Sequence, residues 1–136
     1  MFIPDVYCSY GPRNIQSRSV ALDDKAIICS EVTVAPFSGI ERKFIPTNSR
    51  TCSEISLAMN RCFEQVILTS LYPRSKISIS CTIIQSDGGE LACCLNAALL
   101  AIIDAGISII DFQIALEVGY MDNTIILGMN VKLCNM

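Results

Sequence analysis

Alternation of apolar and polar residues marks one segment of the chain as a strand with a single buried face. Ile77, Ile79, Cys81 and Ile83 alternate with serine and threonine, and a period of two residues is that of a strand. Four further strands, predicted from β-branched content or weaker alternation, cover residues 5–10, 25–34, 112–119 and 124–127. We expect Gly11-Pro12 to end the first of these, and Asp122-Asn123 to form a hairpin turn between the last two.

Apolar residues at helical spacing predict two helices. Thr51 and Glu54 have the spacing of a capping box, which predicts that the first helix begins there. Tyr72-Pro73 is expected to close it, because a residue before proline disfavours the helical region. The second helix should follow Asp87-Gly88-Gly89-Glu90 and stop at Gly106. Its apolar residues lie nearly all the way round, so we expect burial on most faces.

The predicted order of elements is strand, strand, helix, strand, helix, strand, strand. Residues 13–24 and 36–48 are polar or lack periodicity and are predicted to be loops. The chain shows no internal repeat, low-complexity stretch or linker, and 136 residues fit one domain over 1–136. The fold class expected is α+β, as a two-layer α/β sandwich.

Composition favours burial and argues against a membrane span. Hydrophobic residues make up 51% of the chain and charged residues 17%, both shifted toward burial relative to typical domains. The longest apolar stretch, Leu91 to Ile110, contains Asn96 and Asp104 and has helix start and stop signals. The N-terminus lacks the pattern of a secretory signal. We therefore expect a domain that hides apolar surface in an assembly and does not contact membrane.

Net charge and cysteine spacing argue against two further classes of protein, a nucleic-acid binder that acts alone and a domain built around structural zinc. The formal net charge is −3, whereas a nucleic-acid binder that acts alone is usually basic. Any RNA contact should therefore come from a local basic strip within a larger assembly. The eight cysteines show no Cys-x-x-Cys spacing and the chain has no histidine, so we expect no structural zinc and no cofactor. Buried, reduced thiols of an intracellular protein are the expectation.

Five motifs resemble those of the RNase PH family, in the form found in subunits of the eukaryotic RNA exosome ring. They follow one another in the family's order and cover nearly the whole chain: Ala35-Pro36-Phe37-Ser38-Gly39-Ile40-Glu41-Arg42-Lys43, Leu71-Tyr72-Pro73-Arg74-Ser75, Asp87-Gly88-Gly89 with the helix after it, Ile109-Ile110-Asp111-Phe112 and Gly119-Tyr120-Met121-Asp122-Asn123. The first motif favours the subunit type whose archaeal relatives are catalytic. The stretch from Leu91 to Ala98 looks equally like a sister ring subunit.

The resemblance implies a two-layer sandwich of the ribosomal protein S5 domain 2-like type, with a mixed sheet and two main helices. Family domains begin with further strands before the equivalent of Asp5, and end with strands and a long helix beyond that of Met136. By this comparison the fold is incomplete, and we expect either a fragment or a reduced ring subunit. Lost strands would leave sheet edges that a partner has to cover.

The resemblance also suggests where RNA would bind. Family enzymes cleave RNA from its 3′ end with inorganic phosphate, which is phosphoryl transfer and depends on positioned cations. Arg42 and Lys43 match family positions near bound RNA, and Arg13 and Arg18 are predicted to line the RNA path. Arg50 is the candidate phosphate-binding residue, although Thr51 occupies the family's arginine position. For each of these residues the alternative is a solvated surface charge.

The resemblance places the family's catalytic aspartates near Cys134 and beyond Met136, and no acidic residue follows Asp122 in this sequence. Asp87 and Glu90 are explained by helix capping and Asp122 by its turn, so we expect no catalytic residue. The function expected is a non-catalytic subunit of a hetero-oligomeric exosome ring, acting as scaffold and RNA-path lining with other RNase PH-like subunits. Nucleus, nucleolus and cytoplasm are the expected locations. Two alternatives stay open: an active phosphate-dependent exoribonuclease completed elsewhere, and a metabolic or structural protein that shares only the fold.

Overall fold

The computed structural model describes residues 6–14, 24–39, 42, 44–47, 49–86, 88–121 and 123–127. Its elements are β1 (Val6–Asn14), β2 (Ile27–Val34), α1 (Arg50–Val66), β3 (Ser75–Ile83), α2 (Glu90–Asp104), β4 (Val118–Met121) and β5 (Thr124–Leu127). A short 3-10 helix, Thr69–Leu71, lies between α1 and β3. This order confirms the predicted succession of strands and helices.

The main sheet is mixed and has the order β1-β3-β2. Strand β2 runs parallel to β3, with Ile28 beside Ile77 and Val32 beside Cys81, whereas β1 runs antiparallel to β3. The side chains of these four paired residues are buried, while Glu31 on the other face of β2 is exposed. The buried face forms one core with both helices, which confirms the two-layer sandwich.

Large apolar side chains from both layers fill the core. Met59 and Phe63 of α1 and Ile102 of α2 have no exposed surface, and neither do Ile77 and Ile79 of β3. Each such side chain contributes about 1.5–3 kcal/mol through removal from water. The apolar side chains that recur with a period of two in β3 and at helical spacing in α1 therefore pack against each other and stabilise the two layers.

Strand β1 extends further than its sequence predicted. Gly11-Pro12 was expected to end it, but pairing continues to Asn14, and Arg13 lies opposite Lys76 instead of in a loop. The reason is that β1 is an edge strand whose register shifts on both sides of Tyr10. Irregular edge strands tolerate a proline that lacks an N–H group. The rest of the predicted loop, 15–23, lies outside the described residues.

Helix α1 begins and ends earlier than predicted. Its N-cap is Ser49, whose hydroxyl accepts a hydrogen bond of 3.3 Å from the Cys52 N–H, so the capping box at Thr51 was wrong. The helix ends at Val66 and does not reach Tyr72, because Ile67 adopts an extended conformation and pairs with Ile109. A tertiary bridge therefore sets this end, ahead of the proline.

Helix α2 has the predicted bounds but a more exposed outer side. Gly89 precedes it in the left-handed region, without a side-chain cap, and Asp87 lies outside the described residues. Gly106 has a φ of 68° and confirms the predicted stop. Leu91, Leu100 and Ile103 are exposed, so the prediction of burial on most faces was wrong for this side.

The strand predicted over residues 112–119 is shorter than expected and lies later in the chain, whereas β5 has the predicted bounds. Only Val118–Met121 pairs with Thr124–Leu127, as a two-stranded antiparallel ribbon. Asn123 lies in the connecting turn with a φ of 63°, as a tight hairpin requires, and Asp122 lies outside the described residues. Residues 112–117 form no strand pairing with any described residue. Within the part of the chain that the structure describes, no helix is both long and apolar enough to cross a membrane.

Six cysteines are free thiols: Cys29, Cys52, Cys62, Cys81, Cys93 and Cys94. Cys52, Cys81 and Cys94 are buried, as predicted, but Cys29 is exposed because it lies on the outer face of β2. Among the described residues there is no cluster of three histidine, cysteine or acidic side chains that could hold a metal.

Candidate functional site

A cleft opens at the edge of the sheet where the parallel strands end. Strands β2 and β3 are parallel and both end at this edge. Both helices begin there, because each of the two strands is followed along the chain by a helix. The cleft has a volume of about 370 Å³. Its polar lining consists of Ser38, Ser49, Thr51, Ser86 and Glu90, and its apolar lining includes Val34, Ile45 and Cys52.

Backbone hydrogen bonds hold the loop after β2 against the end of β3. The Ala35 N–H donates to the Ile83 carbonyl over 2.9 Å, and the Ser86 N–H donates to the Ser38 carbonyl over 3.0 Å. A further bond of 2.9 Å, from the Ser38 N–H to the Ala35 carbonyl, closes a tight turn. The loop therefore continues the sheet for one more step and places Ser38 inside the cleft.

Ser38 is a largely buried polar residue of the cleft. Only 8% of its surface is exposed, and its hydroxyl makes no hydrogen bond to another described residue. Among the described residues, the buried side-chain oxygen that lacks a hydrogen-bond partner is Gln113 Oε1, so the Ser38 hydroxyl is not a fully enclosed unsatisfied group.

Glu90, the first residue of α2, brings a negative charge to the cleft. One carboxylate oxygen accepts a hydrogen bond from the Ser86 hydroxyl. A second carboxylate, that of Glu117, lies beside Gly89: a Cβ atom added to this glycine would be 2.7 Å from Glu117 Oε2. Both carboxylates are favourably placed at a helix N-terminus, whose partial positive charge they offset.

The thiols of Cys93 and Cys94, one turn into α2, have shifted pKa values in this environment. A hydrogen bond from Cys81 lowers the pKa of the Cys94 thiol, and burial and the Glu90 charge oppose that shift. Burial raises the pKa of the neighbouring Cys93 thiol, with smaller contributions from Cys94 and Glu117. Neither of these two thiols lines the cleft, whose described lining carries hydroxyls, the Glu90 carboxylate and the Cys52 thiol.

The structure separates the residues predicted to bind RNA and phosphate. Arg50 does not line the cleft: its side chain is 92% exposed and its Nε atom lies 2.8 Å from Glu54 Oε1. Thr51, at the family's arginine position, lines the cleft instead. Arg42 is exposed in the loop that follows Gly39. Their proposed roles in binding stay predictions.

Arg13 lies at the far end of the sheet from the cleft. It is opposite Lys76, near the start of β3, whereas the cleft lies beyond Ile83. Seven residues of strand separate these positions, which is about 23 Å at 3.3 Å per residue. The described residues therefore do not form a single basic strip that joins Arg13 to Arg42. Arg18 and Lys43, the other predicted RNA contacts, lie outside the described residues.

Sequence reasoning missed three serines that shape the cleft. Ser49 was overlooked because the Thr51–Glu54 spacing favoured a later helix start, although serine is a common N-cap. Ser38 and Ser86 lie in irregular segments, and only the pairing of those segments brings them together. A serine just before a helix was the one signal available in the sequence.

Comparison with known proteins identifies the family. The sequence model of RNase PH, the 3′ exoribonuclease family, domain 1, matches residues 6–108. This chain belongs to the RNase PH family. The resemblance seen in the five motifs is thereby confirmed, and so is the type of two-layer fold.

Individual members of the RNase PH family match most of this chain. The mouse protein named exosome complex component RRP41 is 46% identical over 116 residues, which are 85% of this chain and 47% of the mouse protein. A Caenorhabditis elegans protein, putative exosome complex component RRP41, is 42% identical over 118 residues. The archaeal exosome complex component Rrp41 of Pyrobaculum neutrophilum is 37% identical over 121 residues. The chain spans about half the length of these relatives.

A solved structure agrees with the RNase PH fold. The crystal structure of rice Rrp46 superposes with a TM-score of 0.79 and covers 93% of this chain and 56% of the rice chain. Its sequence is 21% identical to this one. At that identity the match concerns the fold, which it supports over almost the whole length described.

Proposed function

We propose that this chain is a subunit of the core ring of an RNA exosome. There it supports 3′-to-5′ processing and degradation of RNA, as a scaffold and as part of the lining of the RNA path. The observation that carries this proposal is the 46% identity with mouse exosome complex component RRP41 over 85% of the chain. Its partners are other RNase PH-like subunits and RNA, and its locations are the nucleus, the nucleolus and the cytoplasm.

A continuous apolar face supports the assembly role. Every second residue from Ile110 to Tyr120 is apolar and exposed, and Ile125 and Leu127 lie opposite Tyr120 and Val118 on the same face of the ribbon. The apolar face thus consists of Ile110, Phe112, Ile114, Leu116, Val118, Tyr120, Ile125 and Leu127, each at least 56% exposed. An exposed apolar surface of this kind is typical of an interaction site.

Three features of the cleft support a subunit without phosphorolytic activity. An enzyme that uses inorganic phosphate has to hold this anion beside the RNA backbone, which requires cations. Among the described residues, Thr51 and not an arginine lines the cleft, Arg50 is paired with Glu54, and Glu90 adds a carboxylate. A phosphate ion in the cleft would therefore approach a charge of its own sign.

Assembly is tested by co-expressing the chain with the other RNase PH-like subunits of its organism. We expect a hetero-oligomer that survives size-exclusion chromatography. Ile114→Lys places a charge in the middle of the apolar face and should remove the chain from this complex. Leu57→Lys is the matched control, since Leu57 is an exposed leucine on α1 outside that face. A chain that stays monomeric beside every partner would contradict the ring role.

Activity is tested separately, by incubating the chain and the assembled ring with RNA and inorganic phosphate. We expect no release of nucleoside diphosphates that depends on this chain. The alternative, an active phosphate-dependent exoribonuclease, predicts such release and its loss without phosphate. Fluorescent fusions, scored in nucleus, nucleolus and cytoplasm, test the proposed locations.

A further inference from the structure

We propose that Cys81 and Cys94 form a reversible disulfide that joins strand β3 to helix α2 when the protein meets hydrogen peroxide. The pair is then a site of oxidative modification inside the core. It belongs to this chain alone and does not depend on the proposed role in RNA processing.

Cys81 and Cys94 meet where the two layers of the fold pack together. Cys81 lies on the buried face of β3, and Cys94 lies on the buried side of α2. Each has only 1% of its surface exposed, and both belong to the same core cluster. A hydrogen bond joins the two thiols. The two sulfur atoms therefore lie within hydrogen-bond reach of each other across the layers.

The environment of Cys94 favours the form of the thiol that reacts. The thiolate is the nucleophile in thiol oxidation. The hydrogen bond from Cys81 lowers the pKa of the Cys94 thiol, whereas burial and the charge of Glu90 oppose this shift. Burial instead raises the pKa of Cys93, the thiol beside it in the chain. Of the two thiols in α2, Cys94 is therefore the one expected to react first.

A bond between Cys94 and its chain neighbour Cys93 is disfavoured by geometry. Adjacent Cα atoms are about 3.8 Å apart, whereas the Cα atoms of disulfides are usually roughly 4.4–6.8 Å apart. Successive side chains in a helix also point about 100° away from each other. Accordingly, Cys94 is buried and Cys93 is partly exposed. Cys81, on the neighbouring strand, is therefore the partner for Cys94.

The reaction takes two balanced steps. The Cys94 thiolate attacks one oxygen of hydrogen peroxide, the O–O bond breaks, and the sulfur is oxidised to a sulfenic acid. The hydroxide that leaves takes up the proton lost by Cys94 and becomes water. The Cys81 sulfur then attacks the Cys94 sulfur, the S–O bond breaks, and the hydroxyl leaves as water with the Cys81 proton. Two thiols and one peroxide thus give one disulfide and two waters.

The disulfide should make the protein harder to unfold. It closes a loop over residues 81–94, which includes the turn after β3 and the first turn of α2. Closing such a loop restricts the unfolded chain, and we expect the melting temperature to rise by about 5–10 °C. Dithiothreitol should return the melting temperature to its starting value.

The test is peptide mapping of the full chain after titration with hydrogen peroxide and alkylation in denaturant. No lysine or arginine lies between residues 76 and 132, so trypsin alone leaves both thiols in one peptide. A second protease that cleaves after glutamate separates Cys81, in peptide 77–90, from Cys94, in peptide 91–117. We expect these two peptides to be linked and two hydrogen atoms lighter than their sum. Fragment ions would locate the bond at Cys94.

Variants and an internal reference complete the experiment. Cys81→Ala and Cys94→Ala should each abolish the link and the rise in melting temperature, whereas Cys93→Ala is the matched control and should keep both. Melts under reducing conditions would verify that each variant folds. The exposed thiol of Cys29 reports the dose of oxidant in the same sample.

Three outcomes would overturn the inference. Cys81 and Cys94 might be alkylated in full after Cys29 is completely oxidised, which would refute the disulfide even in the unaltered protein. A link that survives in Cys94→Ala would assign the bond to Cys93. A link formed without a rise in melting temperature would contradict the bond between the two layers of the native fold.

Discussion

The side-chain amide of Asn96 forms two hydrogen bonds with the backbone of Ala115. The Asn96 Nδ2 group donates to the Ala115 carbonyl, and the Ala115 N–H donates to Asn96 Oδ1, both over 2.8 Å. The amide thus pairs with Ala115 as a neighbouring strand would. It holds the segment 112–117 against α2, and the even-numbered apolar residues of this segment are exposed.

Replacing Asn96 should therefore loosen this segment. Asn96→Ala leaves a partly buried N–H and carbonyl without partners, which we expect to lower the free energy of unfolding by about 1–3 kcal/mol. Hydrogen exchange at Ala115 should accelerate, since its N–H loses its acceptor. Gln65→Ala, at an exposed amide on α1, is the control and should change urea denaturation little. Unchanged protection of Ala115 in the Asn96 variant would contradict the paired arrangement.

Ser49 and Thr51, two residues apart at the start of α1, should contribute differently to stability. Ser49→Ala removes the acceptor for the Cys52 N–H and should destabilise the protein by about 1 kcal/mol. Thr51→Ala should have a much smaller effect, because Thr51 is exposed and lies inside the helix. Thermal unfolding of both variants measures the difference. A larger loss of stability in Thr51→Ala than in Ser49→Ala would support the capping box predicted from the sequence.

Two glycines at the ends of α2 provide a test of backbone strain. Gly106→Ala places a Cβ atom at a φ of 68° but in open space, so we expect a cost of about 1 kcal/mol. Gly89→Ala, at a φ of 72°, must also displace the Glu117 carboxylate and should cost somewhat more. Gly106→Asn should be milder than Gly106→Ala, since asparagine tolerates this conformation. Denaturation midpoints would rank the three variants.

Tyr72 couples stability to alkaline pH. Hydrogen bonds from the Ser108 side chain and backbone lower its pKa, with burial opposing them. Because the folded state favours the phenolate, the stabilisation is complete above the unfolded pKa of about 10 and is lost as the pH falls through the folded value. The stability difference between wild type and Tyr72→Phe should therefore shift in favour of wild type as the pH rises toward about 10.

Ultraviolet titration of the phenolate provides the direct measurement for Tyr72. Ser108→Ala removes the hydroxyl but keeps the backbone N–H, so it should move the Tyr72 transition part of the way back toward higher pH. A Tyr72 transition unaffected by this substitution would show that the serine hydroxyl does not contribute.

Local patterns in the sequence were sufficient for most elements. The alternation at 77–83 and the helical spacing after Ile55 are consequences of burial on one side, and both elements formed where predicted. Ends were harder. Ile67 left its helix to pair with Ile109, and β1 ran past Gly11-Pro12, because each end depends on a partner distant in the sequence.

The cleft was less accessible to sequence reasoning than the fold. Glu90 could be placed at the start of a helix, but its neighbour across the cleft, Ser38, is more than fifty residues away. Arg13, Arg42 and Arg50 looked like one basic set because they are the same residue type in adjacent segments. The strand pairing of β1 with β3 moves Arg13 to the opposite end of the sheet.

The sequence by itself determined the family, the order of elements and which faces are apolar, because periodicity and motifs are local properties of the chain. Only the tertiary structure decided what the cleft contains and which charges reach it. Parallel pairing of β2 and β3 brings two helix starts and three serines to one edge. Because Arg50 turns toward Glu54, Glu90 is the charged side chain among the described residues that line the cleft. Those relationships arise from contacts between distant segments, which no local pattern encodes.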